Sequence, residues 1–141
     1  EEVNDDYFTL EIGKAAMVAE GNDVSIVTYG MGVHWALEVT KELGISADIV
    51  NLRTLLPLDT HTIYASVRKT GRVLVLHEDC MTGGIGGELS ALITEHCFES
   101  LDAPVVRVAS LDSPVPFAIP LENDFLPKDR FKEKLKSLLN Y

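Results

Sequence analysis

Residues 72–98, RVLVLHEDCMTGGIGGELSALITEHCF, join an apolar strand to an amphipathic helix through a glycine-rich turn. The first part, RVLVLHED, is the most apolar strand that the sequence predicts. The second part predicts a helix because these residues recur at helical spacing: Ile85, Leu89, Leu92, Ile93 and His96. A continuously apolar strand followed by a helix is typical of a parallel sheet that is covered on both faces.

The same strand-then-helix order repeats on both sides of this segment. The other predicted strands are DVSIVTYG, ADIVNLR and PVVRVAS. The other predicted helices are HWALEVTKELG, THTIYASVRKTG with Asp59 as its N-cap, and a last helix with Phe131, Leu135, Leu138 and Leu139 on one face. Residues 111–124 are predicted as a loop because they are rich in proline. This alternation predicts an α/β fold, a three-layer α/β/α sandwich with a mostly parallel sheet.

The length of 141 residues is typical of one domain. We predict that residues 24–141 form it and that residues 1–23 are an acidic lead-in from an upstream domain, since seven acids face one lysine there. The net charge of −10 argues against nucleic acid and anionic membranes as partners. The two cysteines, Cys80 and Cys97, are too few for a disulfide framework and indicate a cytoplasmic protein.

Glycine loops follow two of the predicted strands, at the edge where α/β sheets usually bind ligands. Trp35 in the first loop and Leu89 in the second stand where a dinucleotide-binding loop needs its third glycine. Neither loop continues into the Lys-Ser or Lys-Thr pair of a Walker loop. We therefore interpret Gly83, Gly84 and Gly86 as turn and close-packing residues rather than as a phosphate cradle.

His77 and Cys80 are a candidate base and thiol nucleophile. Neighbouring side chains at a strand end point to opposite faces, so their spacing gives no reason to bring them together. The favoured interpretation makes His77 a partly buried histidine bonded to loop backbone, and Glu78 its neighbour or an acceptor for glycine N–H groups. Arg53 is interpreted in the same way, as a group that bonds Asp59 and loop carbonyls, with an interface role as the alternative.

Six motifs follow one another along the chain from about residue 7 to residue 141. They are IGKAAMVAEGNDVSIVTYG, NLRTLLPLD, TGRVLVLHED, TGGIGGE, LDAPVVRV and DSPVPFA. Together they resemble the C-terminal domain of the β subunit of thiamine-diphosphate-dependent 2-oxo acid dehydrogenases, within the transketolase C-terminal superfamily. Asn51 and Cys80 depart from the family, which commonly has aspartate and a small non-thiol residue at these positions.

The resemblance implies oxidative decarboxylation of pyruvate or a branched-chain 2-oxo acid, followed by reductive acylation of a lipoyl group. It implies thiamine diphosphate and Mg²⁺ in the complete enzyme, with catalytic and cofactor-binding residues in other domains and none in this one. The expected partners are the dehydrogenase α subunit or domain, a second β subunit or domain, and the lipoyl-bearing acyltransferase. The α and β parts are fused in some bacteria, and this chain could be the tail of such a protein.

By the same resemblance, an acid near Asp102 and the last residue, Tyr141, mark the contact for the acyltransferase's small basic subunit-binding domain. Glu99 adds a second acid to this site. The residues expected to serve as interface or scaffold are Arg53, Asp59, His77, Glu78, Gly83, Gly84 and Gly86. Two alternatives stay open: the tail of a transketolase or deoxyxylulose-phosphate synthase, and a free-standing flavodoxin-like binding module.

Overall fold

The computed structural model describes residues 6–141. The strands are β1 (Ala16–Ala19), β2 (Val24–Thr28), β3 (Ala47–Asn51), β4 (Val73–Cys80) and β5 (Val106–Ser110). The helices are α1 (Met31–Leu43), α2 (Thr60–Thr70), α3 (Gly86–Cys97), α4 (Ile119–Phe125) and α5 (Lys128–Leu139). One turn of 3-10 helix, Phe98–Ser100, extends α3.

The strands form one sheet in the order β1-β3-β2-β4-β5. Strands β2 to β5 pair in parallel, and β1 pairs antiparallel with β3 at one edge. The chain moves from β2 to one side and returns to the other side at β4, so the carboxyl ends of β2 and β4 lie at the topological switch point. The predicted mostly parallel sheet is confirmed.

Two elements were absent from the sequence prediction. Strand β1 lies inside the segment interpreted as an acidic lead-in, so the sheet has five strands and not four. It is short and half exposed, and its pairing with β3 gives it a strand conformation that its sequence pattern does not reveal. Helix α4 lies in the segment predicted as a loop, where Pro120 is tolerated because it occupies the first helical turn.

Helices cover both faces of the sheet, which completes the predicted three-layer α/β/α sandwich. On one face, the sheet residues Ile26, Ile49, Leu74 and Leu76 pack against Trp35 and Val39 of α1 and Phe131 and Leu135 of α5. On the other face, Val27, Val50, Val73 and Val75 pack against Ile63 and Val67 of α2 and Leu89 and Ile93 of α3. These two apolar layers hold the ends of the strands, and the loops that follow them, in fixed positions.

Asp59 caps α2, as predicted, and also holds the segment that leads into β1. Its carboxylate accepts from the Thr62 N–H at 3.1 Å and from the Ala15 N–H at 3.0 Å. Burial opposes ionisation of this group, but the hydrogen bonds from Ala15 and Thr62 outweigh burial and lower the pKa of Asp59. One side chain therefore fixes both the start of α2 and the position of the edge strand.

A polar network lies beneath α2. The Asp48 carboxylate is fully buried and accepts from the Ser66 hydroxyl at 2.8 Å, the Gly21 N–H at 2.9 Å and the Lys69 ammonium at 2.5 Å. The Ser66 hydroxyl also lies 2.6 Å from that of Ser25. A buried charge with this many partners is satisfied, so the network ties α2 to β2 and β3. None of the helices within residues 6–141 is long and apolar enough to cross a bilayer.

Candidate functional site

The glycine turn after β4 packs closely against His77. The His77 side chain is 0% exposed. A Cβ atom at Gly84 would lie 2.7 Å from His77 Cε1, and one at Gly86 would lie 2.9 Å from His77 Cδ2 and closer still to Nε2. Gly83 has a φ of 81°, which turns the chain toward α3. The absence of side chains at Gly84 and Gly86 is what allows the imidazole ring to lie beneath the first turn of α3.

The environment of His77 differs from its sequence interpretation. It was expected to be partly buried and bonded to loop backbone, but it is fully buried, and neither ring nitrogen has a hydrogen-bond partner of ordinary geometry among residues 6–141. Burial lowers the pKa of His77, and this effect exceeds the opposing influence of the nearby Asp79 carboxylate and backbone. Because burial favours the uncharged form, the ring serves as a neutral packing group beneath the first turn of α3.

Acidic side chains surround the mouth of this turn. The Glu78 carboxylate lies near Gly30, since a Cβ atom added at Gly30 would be 3.5 Å from its oxygen. The Tyr29 ring stacks on that of His77 with centroids 6.4 Å apart. Burial, followed by the charges of Asp79 and Glu78, raises the pKa of Tyr29. Asp79 and Glu78 therefore place negative charge beside Tyr29 at this end of the sheet.

Cys80 does not pair with His77. Its thiol contacts the Ser113 carbonyl at 3.8 Å. Arg53 and Asp59 are not paired with each other, in contrast to the sequence interpretation. The Arg53 side chain is exposed, and the Asp59 carboxylate is occupied by Ala15 and Thr62 instead. Arg53 has a φ of 56°, in the left-handed region that residues other than glycine seldom adopt.

A hydrogen-bonded contact that the sequence did not suggest joins the glycine turn to the loop after β5. The Asp112 carboxylate accepts from the Thr82 N–H at 2.8 Å and from the Thr82 hydroxyl at 2.7 Å, and these bonds lower the pKa of Asp112. Beyond Asp112 the chain exposes Val115 and Phe117. Thirty residues separate the two partners, so no local pattern could have paired them.

Glu99, Asp102 and Tyr141 lie around one surface cavity of about 770 Å³. Apolar residues complete its lining, with Phe98 among them. We call this cavity the acidic groove. The Asp102 N–H donates to the Gly71 carbonyl at 2.7 Å, which fixes the turn between α3 and β5.

Phe98 and Tyr141 are 72% and 74% exposed, so two aromatic rings stand in water beside two carboxylates. Sequence reasoning missed Phe98. The signal that could have found it is an aromatic residue placed just after the apolar stripe of α3.

The described residues do not fit thiamine diphosphate or its metal ion. Within residues 6–141, no group of three or more His, Cys, Asp and Glu side chains could hold a metal ion. The His77 ring packs against Gly84 and Gly86, and the charges beside the turn are mixed, since the Asp112 carboxylate bonds Thr82 and Arg107 Nη1 lies 3.5 Å from the Met81 carbonyl oxygen. A diphosphate needs donors and positive charge, so no step through this cofactor is assigned to these residues.

The chain is similar in sequence to curated dehydrogenase subunits. It is 41% identical over 145 aligned positions to the 2-oxoisovalerate dehydrogenase subunit beta of Bacillus subtilis, covering 99% of this chain and 44% of that protein. It is 42% identical to the pyruvate dehydrogenase E1 component subunit beta of Staphylococcus aureus, covering 100% of this chain and 44% of that protein. The chain thus spans less than half the length of these relatives.

Two solved structures share the fold of this chain. A split-gene transketolase, described as an inactive beta4 tetramer, superposes with a TM-score of 0.80 and 29% identity over 99% of this chain and 46% of that one. A 2-oxoglutarate:ferredoxin oxidoreductase from Magnetococcus marinus shares the fold with a TM-score of 0.56 and 17% identity over 89% of this chain and 19% of that one. The transketolase C-terminal domain family matches residues 13–130. The chain belongs to the transketolase C-terminal domain family.

Proposed function

We propose that this chain is the C-terminal domain of the β part of a 2-oxo acid dehydrogenase, and that it serves subunit assembly and docking of the acyltransferase. The observation that carries the docking role is the acidic groove, where Glu99, Asp102 and Tyr141 come together. Tyr141 is 39 positions from Asp102 in the sequence, so the fold alone creates this combination of charge and aromatic surface.

The groove has the chemistry that a small basic domain requires. Two exposed carboxylates supply negative charge, and the exposed rings of Phe98 and Tyr141 supply apolar contact area. Exposed charges of this kind raise the association rate and make affinity depend on salt, while the buried apolar contact supplies much of the free energy. The partner that fits the acidic groove is the subunit-binding domain of a lipoyl-bearing acyltransferase.

In the proposed enzyme, the chemistry takes place in other domains. Thiamine diphosphate and Mg²⁺, when bound there, support decarboxylation of the 2-oxo acid and reductive acylation of the lipoyl group. This chain contributes contacts to the dehydrogenase α subunit or domain and to a second β subunit or domain. The comparable identities to 2-oxoisovalerate and pyruvate dehydrogenase subunits, 41% and 42%, support a 2-oxo acid of either kind as the substrate.

Asp102→Lys in the assembled dehydrogenase tests the docking role. We expect binding of the purified subunit-binding domain to weaken by about 1 to 3 kcal/mol. The substitution replaces a carboxylate at the contact by an ammonium group, which has the same sign of charge as the basic partner and repels it. Glu11→Lys is the matched control, since it makes the same change of net charge at an exposed position outside the groove. Surface-plasmon measurements at low and moderate salt report both affinity and its salt dependence.

Equal affinities for Asp102→Lys and Glu11→Lys, together with a flat salt response, would remove the acidic groove as the docking site. A loss confined to Asp102→Lys that becomes smaller as salt rises supports it, because salt screens exposed charges beyond ~8 Å at physiological ionic strength.

A further inference from the structure

The polar network beneath α2 continues as a single chain of hydrogen bonds. The Asp48 carboxylate lies 2.8 Å from the Ser66 hydroxyl, which lies 2.6 Å from the Ser25 hydroxyl. Ser25 lies 2.7 Å from the Thr70 hydroxyl, which in turn lies 3.0 Å from the Arg72 carbonyl oxygen. The four side chains are buried. The chain therefore has four links and connects β3 with the turn between α2 and β4.

The number of hydroxyl hydrogens decides how these links are filled. Each hydroxyl donates one hydrogen, which rotates to suit its surroundings, whereas an ionised carboxylate can only accept. Three hydroxyls therefore supply three hydrogens for four links, and one link stays empty while Asp48 is ionised. Ser66 donates to the carboxylate, and the contacts of 2.6 and 2.7 Å each need a hydrogen between their oxygens.

The empty link is thus the one between Thr70 and the Arg72 carbonyl, which is also the longest of the four at 3.0 Å. This carbonyl keeps a partner, because it accepts from the Ser25 N–H at 2.8 Å. In this arrangement all three hydroxyls donate toward β3.

A proton on Asp48 reverses the whole chain. The protonated carboxyl group donates to Ser66, each hydroxyl donates to the next one along, and Thr70 donates to the Arg72 carbonyl. Four hydrogens then fill four links, so every buried hydroxyl hydrogen again has an acceptor. The network has two complete arrangements, and the charge of Asp48 selects between them.

Lys69 is a positive partner of Asp48 that solvent can reach. The ammonium group lies 2.5 Å from Asp48 Oδ1, and the two side chains are 42% and 1% exposed respectively. Oδ1 also accepts from the neutral Gly21 N–H at 2.9 Å. Asp48 and Lys69 line a surface cavity of about 340 Å³ together with two exposed titratable side chains, His61 and Glu20. A change of charge at this cavity therefore acts first on Lys69.

We propose that Lys69 and Asp48 form a switch that sets the direction of this hydrogen-bond chain. While Lys69 is charged, Asp48 is ionised and the hydroxyls donate toward β3. When substitution or modification removes the charge of Lys69, Asp48 takes up a proton from water, because a buried carboxylate without a positive partner is costly. The hydroxyls then donate toward Arg72, and the turn after α2 gains a hydrogen bond. The switch goes beyond the proposed function and does not depend on it.

Infrared difference spectroscopy of Lys69→Met tests the proton uptake. Methionine keeps an unbranched side chain and removes the charge. At neutral pH we expect a gain of a carboxylic acid band and a loss of carboxylate absorption relative to the unmodified chain. Lys132→Met is the matched control, since Lys132 also lies 2.5 Å from a carboxylate, but the Glu42 side chain is 55% exposed and water solvates its charge. No carboxylic acid band for Lys69→Met, or an equal band for Lys132→Met, overturns the inference.

Asp48→Asn imitates the protonated carboxyl group. The amide nitrogen donates to Ser66 in place of the proton, and the amide oxygen accepts from Lys69. In the unmodified chain this change should raise the equilibrium constant for unfolding about tenfold or more, because a charged hydrogen-bonded pair is lost. In the Lys69→Met background the constant should stay the same or fall, because an amide donates without taking up a proton. An equal increase in both backgrounds refutes the switch. The infrared measurement needs no substitution at Asp48, so it decides the inference even if Asp48→Asn does not fold.

Thr70→Val tests whether the reversal reaches the far end of the chain. Valine keeps the shape of threonine and removes the hydroxyl. In the Asp48→Asn background Thr70 donates to the Arg72 carbonyl in addition to its bond with the neighbouring hydroxyl. Thr70→Val should therefore raise the unfolding constant about threefold more there than in the unmodified chain. Thr40→Val is the control, since the Thr40 hydroxyl bonds a carbonyl of its own helix, α1, and its loss should cost the same in both backgrounds. Equal costs of Thr70→Val in both backgrounds would refute the proposed reversal.

Discussion

Gly86→Ala is expected to destabilise the fold, because the new methyl group would collide with the buried His77 ring. The added Cβ atom would lie 2.9 Å from His77 Cδ2 and closer to Nε2, where ordinary contacts are longer than 3.4 Å. His77 is 0% exposed and packed within the core, so it has little room to move. The collision is independent of backbone strain, since Gly86 is not among the residues with positive φ.

The magnitude follows from two opposing effects. Overpacking a core typically costs about 1 to 3 kcal/mol, and an alanine in place of a helical glycine returns up to about 1 kcal/mol. We therefore expect a net loss of about 1 to 2 kcal/mol in the free energy of unfolding. Gly87→Ala is the matched control, since its Cβ atom would meet only Arg107 Nη1, at 3.7 Å. This variant should be neutral or more stable.

Urea unfolding followed by circular dichroism measures both free energies, and a scan of melting temperature should show a decrease of roughly 2 to 8 °C for Gly86→Ala. The same substitution in a His77→Ala background should cost much less, because the group with which it collides is gone. Equal stabilities of the Gly86→Ala and Gly87→Ala chains, or an unchanged cost in the His77→Ala background, would refute the packing role of these residues.

Three further outcomes are expected. Because burial lowers the folded-state pKa of His77, the unfolded chain binds more protons than the folded chain below pH ~6.5. The free energy of unfolding should therefore decrease as pH drops through this value. His77→Phe should make this decrease smaller in urea titrations from pH 8 to 5. Asp59→Ala should cost about 0.5 to 2 kcal/mol at neutral pH. Since the folded pKa of Asp59 is lowered, this difference should disappear as pH falls from ~4 through that pKa; a cost that persists in acid would contradict the ionised cap. Cys80→Ser should leave the turnover of the complete enzyme within a few-fold, whereas loss by orders of magnitude would indicate a nucleophile.

The fold class followed from the sequence because its signals are local. The continuous apolar run of β4 needs no partner to be recognised, and Val73, Leu74, Val75 and Leu76 are all 0% exposed. Asp59 at the start of α2 forms its cap with a residue three positions away. Patterns of this kind depend on the period of a helix or strand and on backbone chemistry, so one pass along the chain detects them.

Contacts between distant residues were decided only by the tertiary structure. The sequence motifs indicated that Glu99, Asp102 and Tyr141 could meet a partner, but their common groove forms because α5 returns to the edge of β5. His77 was expected to be partly buried and bonded to loop backbone, yet the fold buries it completely against Gly84 and Gly86 and gives its ring nitrogens no hydrogen-bond partner of ordinary geometry among residues 6–141. The burial and the hydrogen bonding of such side chains depend on which segments the crossovers bring together. A pattern along the sequence does not contain that information, because the free energy of each contact arises from both partners at once.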